Sequence, residues 1–309
     1  MKTITLVSGC YNEEENLSEL FRRVWAVVAK FPQYDWEYVI IDNCSTDASP
    51  EVLRRAAAVE PRLKVIFNVR NFGHIRSPYH AILQARGDAV ICLASDLQDP
   101  PEFIENFLPK WEAGWKVVAA IKGESKESPI FFAARRLYYR MIDRLSDVDL
   151  LRNFTGFGLY DRAVIELMRE ADDPYPYFRG QISEFGFPVA RIPFTQERRK
   201  RGFSKNNFYT LFDLAMLGFT NHTKVPLRLA SMAGFLMSLL CLGVSIGYLI
   251  YKLLNWNSFS LGTAPVVVGL FFIGSVQLFF IGVIGEYIGA IHTKVTRRPL
   301  VVERERLNF

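Results

Sequence analysis

The stretch Ala94-Ser95-Asp96-Leu97-Gln98-Asp99-Pro100-Pro101-Glu102 follows the apolar run Ile91-Cys92-Leu93 and is stopped by two prolines. A carboxylate pair at the exit of a buried strand can hold a divalent cation against a diphosphate leaving group. Asp96 is the residue we assign to Mg2+ or Mn2+, with Gln98 and Asp99 as further ligands or as turn residues. The position two before Asp96 is Ala94, which ligates nothing, so the segment reads as a reduced metal site. Asp99 is also placed to cap the helix that the prolines begin. Three other polar clusters accompany it: Tyr11–Glu14, Asp42–Asp47 and Arg70–His74. A nucleoside diphosphate sugar needs acceptors for its base and ribose and cations for its pyrophosphate. Asp42 is placed to accept from base or ribose, while Asn12, Glu13 and the backbone around Tyr11 frame the base. Arg70 and His74 follow a strand end and face the donor, although His74 reads equally well as an ordinary polar helix residue.

These clusters need elements to position them. Apolar runs at 3–9, 37–42, 63–68, 88–94 and 115–121 predict strands, with helices between them. Nearly continuous apolar strands alternating with helices predict an α/β domain whose mostly parallel sheet is covered on both faces. In such sheets ligands bind at the carboxyl ends of the strands, where all four clusters fall. Neither GxGxxG nor GxxxxGK[ST] occurs, which argues against the usual dinucleotide and P-loop sites.

The chain has 309 residues, 50% hydrophobic, with a formal charge of +5. Residues 229–251 and 264–284 are two uncharged runs, each long enough for the roughly 20 apolar residues a bilayer crossing needs. Lys224, Arg228, Lys294, Arg297 and Arg298 flank the pair on one side, whereas the connecting loop carries only Lys252. The positive-inside bias places the N-terminal domain and the C-terminal tail in the cytoplasm. The first residues contain no apolar run of signal-peptide length. Residues 128–147 and 207–224 have the amphipathic composition of interfacial helices, and the first also suits a helix packed on the sheet. The four cysteines lack zinc-ligand spacing, and no nucleic-acid motif accompanies the positive charge.

The segments CYNEEENL (10–17), IIDNCSTD (40–47), NVRNFGH (68–74), ASDLQDPPE (94–102) and IGVIGEYIGAIHTKV (281–295) together resemble the polyprenyl-phosphate glycosyltransferases. These are inverting family 2 enzymes that include dolichol-phosphate mannose synthases and bacterial lipid-phosphate glucosyltransferases. The resemblance covers essentially the whole chain. It implies a Rossmann-like GT-A domain over 1–205, a juxtamembrane helix over 206–224, a two-helix hairpin within 225–292 and a tail over 293–309. It also implies a nucleotide-sugar donor (a UDP-sugar such as UDP-glucose before a GDP-sugar), Mg2+ or Mn2+, and undecaprenyl or dolichyl phosphate as acceptor. The setting would be a bacterial-type inner membrane and cell-envelope glycan synthesis, with a homo-oligomer expected.

Three departures qualify the resemblance. Ala94 stands where many relatives have Asp, and Asn43 replaces a second carboxylate, which predicts altered donor preference. Some relatives place a catalytic-base Asp at the position of Gly156. A hydroxyl nucleophile needs such a base, whereas a phosphate monoester is already largely ionised near neutral pH. The phosphate needs cations instead, and the family's Arg-x-x-Gly-x-[Ser/Thr]-Lys pattern implies Arg199 or Arg201 with Lys205. The same basic stretch also suits anionic lipid headgroups. Ala94 and Gly156 together motivate an alternative, a non-catalytic scaffold that binds lipid or nucleotide. A processive polysaccharide synthase is disfavoured, because QxxRW is missing.

Overall fold

The computed structural model describes residues 1–123, 151, 153–196, 263–296 and 298–309, with scattered helical positions between 227 and 254. Residues 128–147, the juxtamembrane stretch 206–224, Arg199, Arg201 and Lys205 lie outside the described residues, as does much of 229–251.

The chain opens with β1 (Lys2–Cys10), α1 (Glu14–Val28), β2 (Tyr34–Asp42), α2 (Ser49–Val59), β3 (Leu63–Asn68), α3 (Gly73–Gln84) and β4 (Ala89–Cys92). A 3-10 turn (Pro101–Phe103) leads into α4 (Ile104–Glu112), followed by β5 (Val117–Lys122) and β6 (Phe154–Asp161). Then come α5 (Arg162–Ala171), α6 (Phe178–Glu184), β7 (Val189–Phe194), the long α7 (Thr263–Val295) and β8 (Glu303–Leu307). The strands form one sheet in the order β7-β5-β6-β4-β1-β2-β3-β8. The run β4-β1-β2-β3 is parallel, as the sequence predicts, while β6 and β8 pair antiparallel with β4 and β3.

Alternation along the central strands builds two cores. Tyr38 and Ile40 of β2 point to one face, where they meet Leu17, Leu20 and Val24 of α1 and Phe107 of α4. Val39 and Ile41 point to the other, against Tyr79 and Ile82 of α3 and Val164, Ile165 and Met168 of α5. Each such fully buried side chain contributes about 1.5–3 kcal/mol. Beyond β4, the rings of Phe103, Phe107, Phe157 and Phe194 pack with centroids 5.1–5.9 Å apart. Gly158 is required where β6 meets β5, since a Cβ there would stand 2.4 Å from the carbonyl oxygen of Val118.

The segment read from sequence as a tail is instead part of the domain. β8 completes the sheet edge: the Val69 amide donates to Val302, Arg54 pairs with Glu305 at 2.7 Å, and the Asn308 amide donates to the carbonyls of Ala57 and Leu63. Glu-Arg-Glu-Arg-Leu has no apolar run to announce a strand. It is an edge strand, and alternating charge on an edge discourages further pairing.

The helix α7 runs to Val295, beyond the uncharged run ending at residue 284, and its 33 residues span about 50 Å. Its window Phe272–Val295 has mean hydropathy 1.5 and none of it is buried. Leu270, Leu278, Phe279 and Ile288 are all exposed, an apolar surface that lipid would cover.

The edge strand generates a stability prediction. Deleting residues 301–309 removes Val301 from the core and bares β3. The melting temperature of the purified protein should fall by several degrees, with self-association visible in size-exclusion profiles. An unchanged melting temperature would mean that the sheet does not depend on its eighth strand.

Candidate active site

A cleft of about 850 Å3 opens at the carboxyl ends of β1 and β4. Its walls include Tyr11 and Glu13 after β1, Asn43 after β2, His74 on α3, and Ala94 to Asp96 with Gln98 and Asp99 after β4. Because β6 runs antiparallel to β4 with Gly158 opposite Cys92, residues 155–157 extend past the end of β4 and form the next wall. Tyr177, Phe178 and Arg179 complete it.

The exit of β4 is fixed by polar ties to β1. Ser8 Oγ donates to the Leu93 carbonyl at 2.8 Å, and Ser95 Oγ donates to the Gly9 carbonyl at 2.7 Å. Leu97 then takes φ 63° with its side chain buried in the core. A left-handed leucine costs on the order of 1–3 kcal/mol, and the turn it makes leaves Asp96 and Gln98 both on the cleft wall. Asp96 Oδ1 accepts from the Gln98 amide at 3.1 Å. Asp99 does not cap the following helix, which has no side-chain cap; its Oδ2 instead accepts from the Ala94 amide at 3.0 Å. Its Oδ1 is buried without a protein partner. Burial, with Asp96 nearby, pushes the Asp99 carboxyl up to about 7.

This donor set fits one divalent cation held loosely. Asp96, Gln98 and the orphaned Asp99 Oδ1 offer oxygen ligands to a hard cation, which commonly keeps several waters and takes the rest of its shell from substrate phosphates. Among the described residues no group of three or more His, Cys, Asp or Glu side chains could hold a metal.

Of the residues singled out from sequence, Tyr11, Glu13, His74, Asp96, Gln98 and Asp99 come together on the cleft. Asn12, Asp42 and Arg70 are not on its wall. Asn12 takes φ 56° and ties the first turn to the second: its amide donates to Ser45 Oγ, and its Oδ1 accepts from the Thr46 amide. Asp42 is fully buried and accepts from the Ser45 amide, with burial raising its carboxyl above the usual range. Arg70 is exposed and stacks on Phe72, its guanidinium 4.0 Å from the ring centroid. Burial, and then the nearby Arg179, lower the His74 imidazole below its ordinary value, which favours the neutral ring.

Two wall residues have surroundings that sequence reasoning did not give. Asn43, read as a weakened base contact, has its amide committed elsewhere: Nδ2 donates to Asn71 Oδ1 and the Gly73 carbonyl, and Oδ1 accepts from Asn68 and the Phe72 amide. A carboxylate could accept but not donate, so the asparagine suits this knot of β2, β3 and α3. Arg179 carried no signal, because it is a lone cation between aromatic and small residues (Tyr177-Phe178-Arg179-Gly180).

The Asp99 environment predicts a pH dependence. Its carboxyl stays protonated in the fold up to about 7, whereas an ordinary one ionises near 3.8. The native state therefore holds the extra proton between these values, and stability falls as pH rises through that window. Asp99→Asn, which can still accept from the Ala94 amide, should remove that slope. Thermal melts of both proteins from about pH 4 to about pH 8 check it; identical slopes would place the titration elsewhere.

Sequence comparison now gives this geometry a family. Residues 5–168 match the family described as glycosyl transferase family 2, and residues 225–291 match the GtrB C-terminal hairpin. A glycosyltransferase of Bacillus subtilis, YkcC, is 33% identical over 303 residues, covering 96% of this chain and 92% of the relative. An uncharacterised glycosyltransferase of Synechocystis is 30% identical, covering 96% and 93%. A prophage-derived bactoprenol glucosyl transferase of Shigella flexneri is also 30% identical, covering 96% of both chains. The matches extend through the turns after β1 and β2, the β4 exit and residues 225–291 alike, and the chain belongs to glycosyl transferase family 2: it is a glycosyltransferase with a GT-A type α/β domain.

Proposed function

We propose that this enzyme transfers a hexose from a nucleoside diphosphate sugar, UDP-glucose before a GDP-sugar, to polyprenyl phosphate, inverting the anomeric centre. The observation that carries the reading is the full-length similarity to a bactoprenol glucosyl transferase, hairpin included, combined with a cleft that offers no carboxylate at Gly156. In the reaction a phosphate oxygen of the acceptor attacks C1 of the sugar as the bond from C1 to the nucleotide's β-phosphate oxygen breaks. The products are polyprenyl-phosphate hexose and the nucleoside diphosphate. The acceptor oxygen carries no proton that a base must remove, so the glycine at position 156 is compatible with turnover. In this reading Tyr11 and Glu13, which line the cleft, would bound the nucleotide, and Asp96 with Gln98 and Asp99 on the same lining would meet the pyrophosphate. A bound divalent cation would supply Lewis-acid stabilisation of the departing diphosphate. Holding both substrates in one cleft supplies the proximity term.

The sheet also supports a membrane hairpin. β8 lies in the same sheet as β1, so the residues before and after the apolar segments are on one side of any membrane that α7 crosses. A chain that crosses once must cross back, and 229–251 is the uncharged run available for it. With the positive flanks inward, the cleft then faces the cytoplasmic leaflet.

The test is an assay of purified full-length protein with UDP- and GDP-sugars, undecaprenyl or dolichyl phosphate, and Mg2+, Mn2+ or EDTA. Metal-dependent formation of lipid-linked glucose is expected, with Asp96→Asn slower by about 100-fold or more. Ala94→Asp should tighten metal binding in the absence of donor, read by titration calorimetry. Nucleotide binding without transfer to any lipid would favour the scaffold reading instead, and transfer that survives EDTA would take the metal from Asp96.

A further inference from the structure

A cleft that takes a pyrophosphate and a second phosphate must manage several negative charges, yet its described walls already carry Glu13, Asp96 and Asp99. Arg179 is the sole arginine or lysine among the described wall residues. Its field is felt locally, since it lowers the His74 imidazole and bears on the buried Tyr160 hydroxyl.

Arg179 stands at the β6 wall of the cleft, within electrostatic reach of His74 on α3. Reading across the sheet, the wall passes from Asn43 after β2 to Tyr11 after β1, then to Asp96 after β4, and then to residues 155–157 of β6. Arg179 stands at that last wall, because its neighbour Phe178 packs edge-on against Tyr160 of β6 at 5.2 Å and against Tyr79 of α3 at 6.4 Å. Gly156 beside it adopts φ +100°, a conformation side chains rarely take, and as a glycine it brings no carboxylate to that wall.

The same wall leads to the membrane helix. Asp173, which closes the approach to α6, lies 3.8 Å from Lys294 Nζ in the last turn of α7. Asp173 Oδ1 also accepts from the Tyr175 amide, which fixes the loop entering the cleft wall. A ligand whose tail stays in lipid beside α7 and whose head enters the cleft meets this side first.

From these placements we infer that Arg179 receives the phosphate of the lipid acceptor, on the opposite side of Asp96 from the nucleotide. The inference rests on the proposed acceptor being a polyprenyl phosphate. A guanidinium presents its donors as a planar fork that matches two phosphate oxygens, and it stays charged at any working pH. It would hold the attacking oxygen against the sugar while offsetting the repulsion between acceptor, donor and the carboxylates of the cleft. Lysine at this position would keep the charge and lose the fork.

Calorimetry with full-length protein in detergent tests this, using farnesyl phosphate, farnesol and UDP as separate probes. Wild-type protein should bind farnesyl phosphate well above farnesol. Arg179→Gln should weaken farnesyl phosphate by about 10-fold or more and leave UDP affinity within about 2-fold, while Arg179→Lys falls between. In the transfer assay, the acceptor KM should rise by a similar factor while the donor KM holds. Equal farnesyl phosphate affinity in wild type and Arg179→Gln overturns this inference alone. A parallel loss of UDP affinity in both variants, with melting temperature unchanged, also overturns it by moving Arg179 to the donor pyrophosphate. Should Arg179→Gln fail to fold, Arg179→Lys with unchanged phosphate affinity and an unchanged acceptor KM has the same force. Wild-type protein that cannot tell farnesyl phosphate from farnesol removes the proposed acceptor as well.

Discussion

Charge compensation is the constraint around which this cleft is arranged. Parallel strands bring their carboxyl ends together, and the turns that follow them here carry Glu13, Asp96 and Asp99. The phosphate-bearing substrates of the proposed reaction would meet repulsion in that space if nothing opposed it, since like charges a few ångströms apart interact strongly when water is excluded. The protein meets this in two ways. Asp99 is buried deeply enough that its carboxyl is held up to about 7, so one of the three negative charges is only partly present near neutral pH. Arg179 adds a fixed positive charge on the far wall. A divalent cation at Asp96 would supply the rest when bound.

The second organising feature is the return of the chain to its own sheet. A helix of 33 residues leaving a domain through a single link could tilt freely. This one is held beyond its end as well. Val301 enters the core, β8 pairs with β3, and Lys294 approaches Asp173. The Arg76 guanidinium also donates to the Pro299 carbonyl, joining α3 to the link between α7 and β8. The contacts are individually modest, since exposed ion pairs contribute at most about 1 kcal/mol. The edge strand adds backbone hydrogen bonds and a buried valine to them. Together they set where the last turn of α7 stands relative to the wall that carries Arg179.

Much of this was legible in the sequence, and the limits have physical causes. The five N-terminal strands were readable because strands buried on both faces are apolar without interruption, and the structure places β1 to β5 within a few residues of those runs. That Asp96 stands on a cleft wall was readable because it follows a buried strand in a parallel sheet, whose carboxyl ends border the ligand crevice. β8 was not readable, since an edge strand of alternating Glu and Arg has no periodic apolar signal. The ties that Asn12 and Asp42 make between turns were not legible for a related reason. A sequence shows that a polar residue follows a strand but not whether it faces the ligand or ties one turn to the next, as Asn12 does with Ser45 and Thr46. Arg179 shows the converse case: one cation among aromatic residues becomes informative only when the fold brings it to a cleft lined by carboxylates.

Ala94 and Gly156 look at first like losses, and the geometry gives each a context. The Ala94 amide is the donor that holds Asp99 Oδ2, so Asp99 turns back toward position 94. Asp99 is thus drawn to the strand exit from the other end of the turn, with Oδ1 left unpaired. At Gly156 the gain is space and neutrality beside Phe178 and Arg179. A carboxylate introduced there would serve a hydroxyl nucleophile, but it would add negative charge to the wall that holds the cation. A phosphate nucleophile needs that cation more than it needs a base, so a glycine beside an arginine is the combination that chemistry favours.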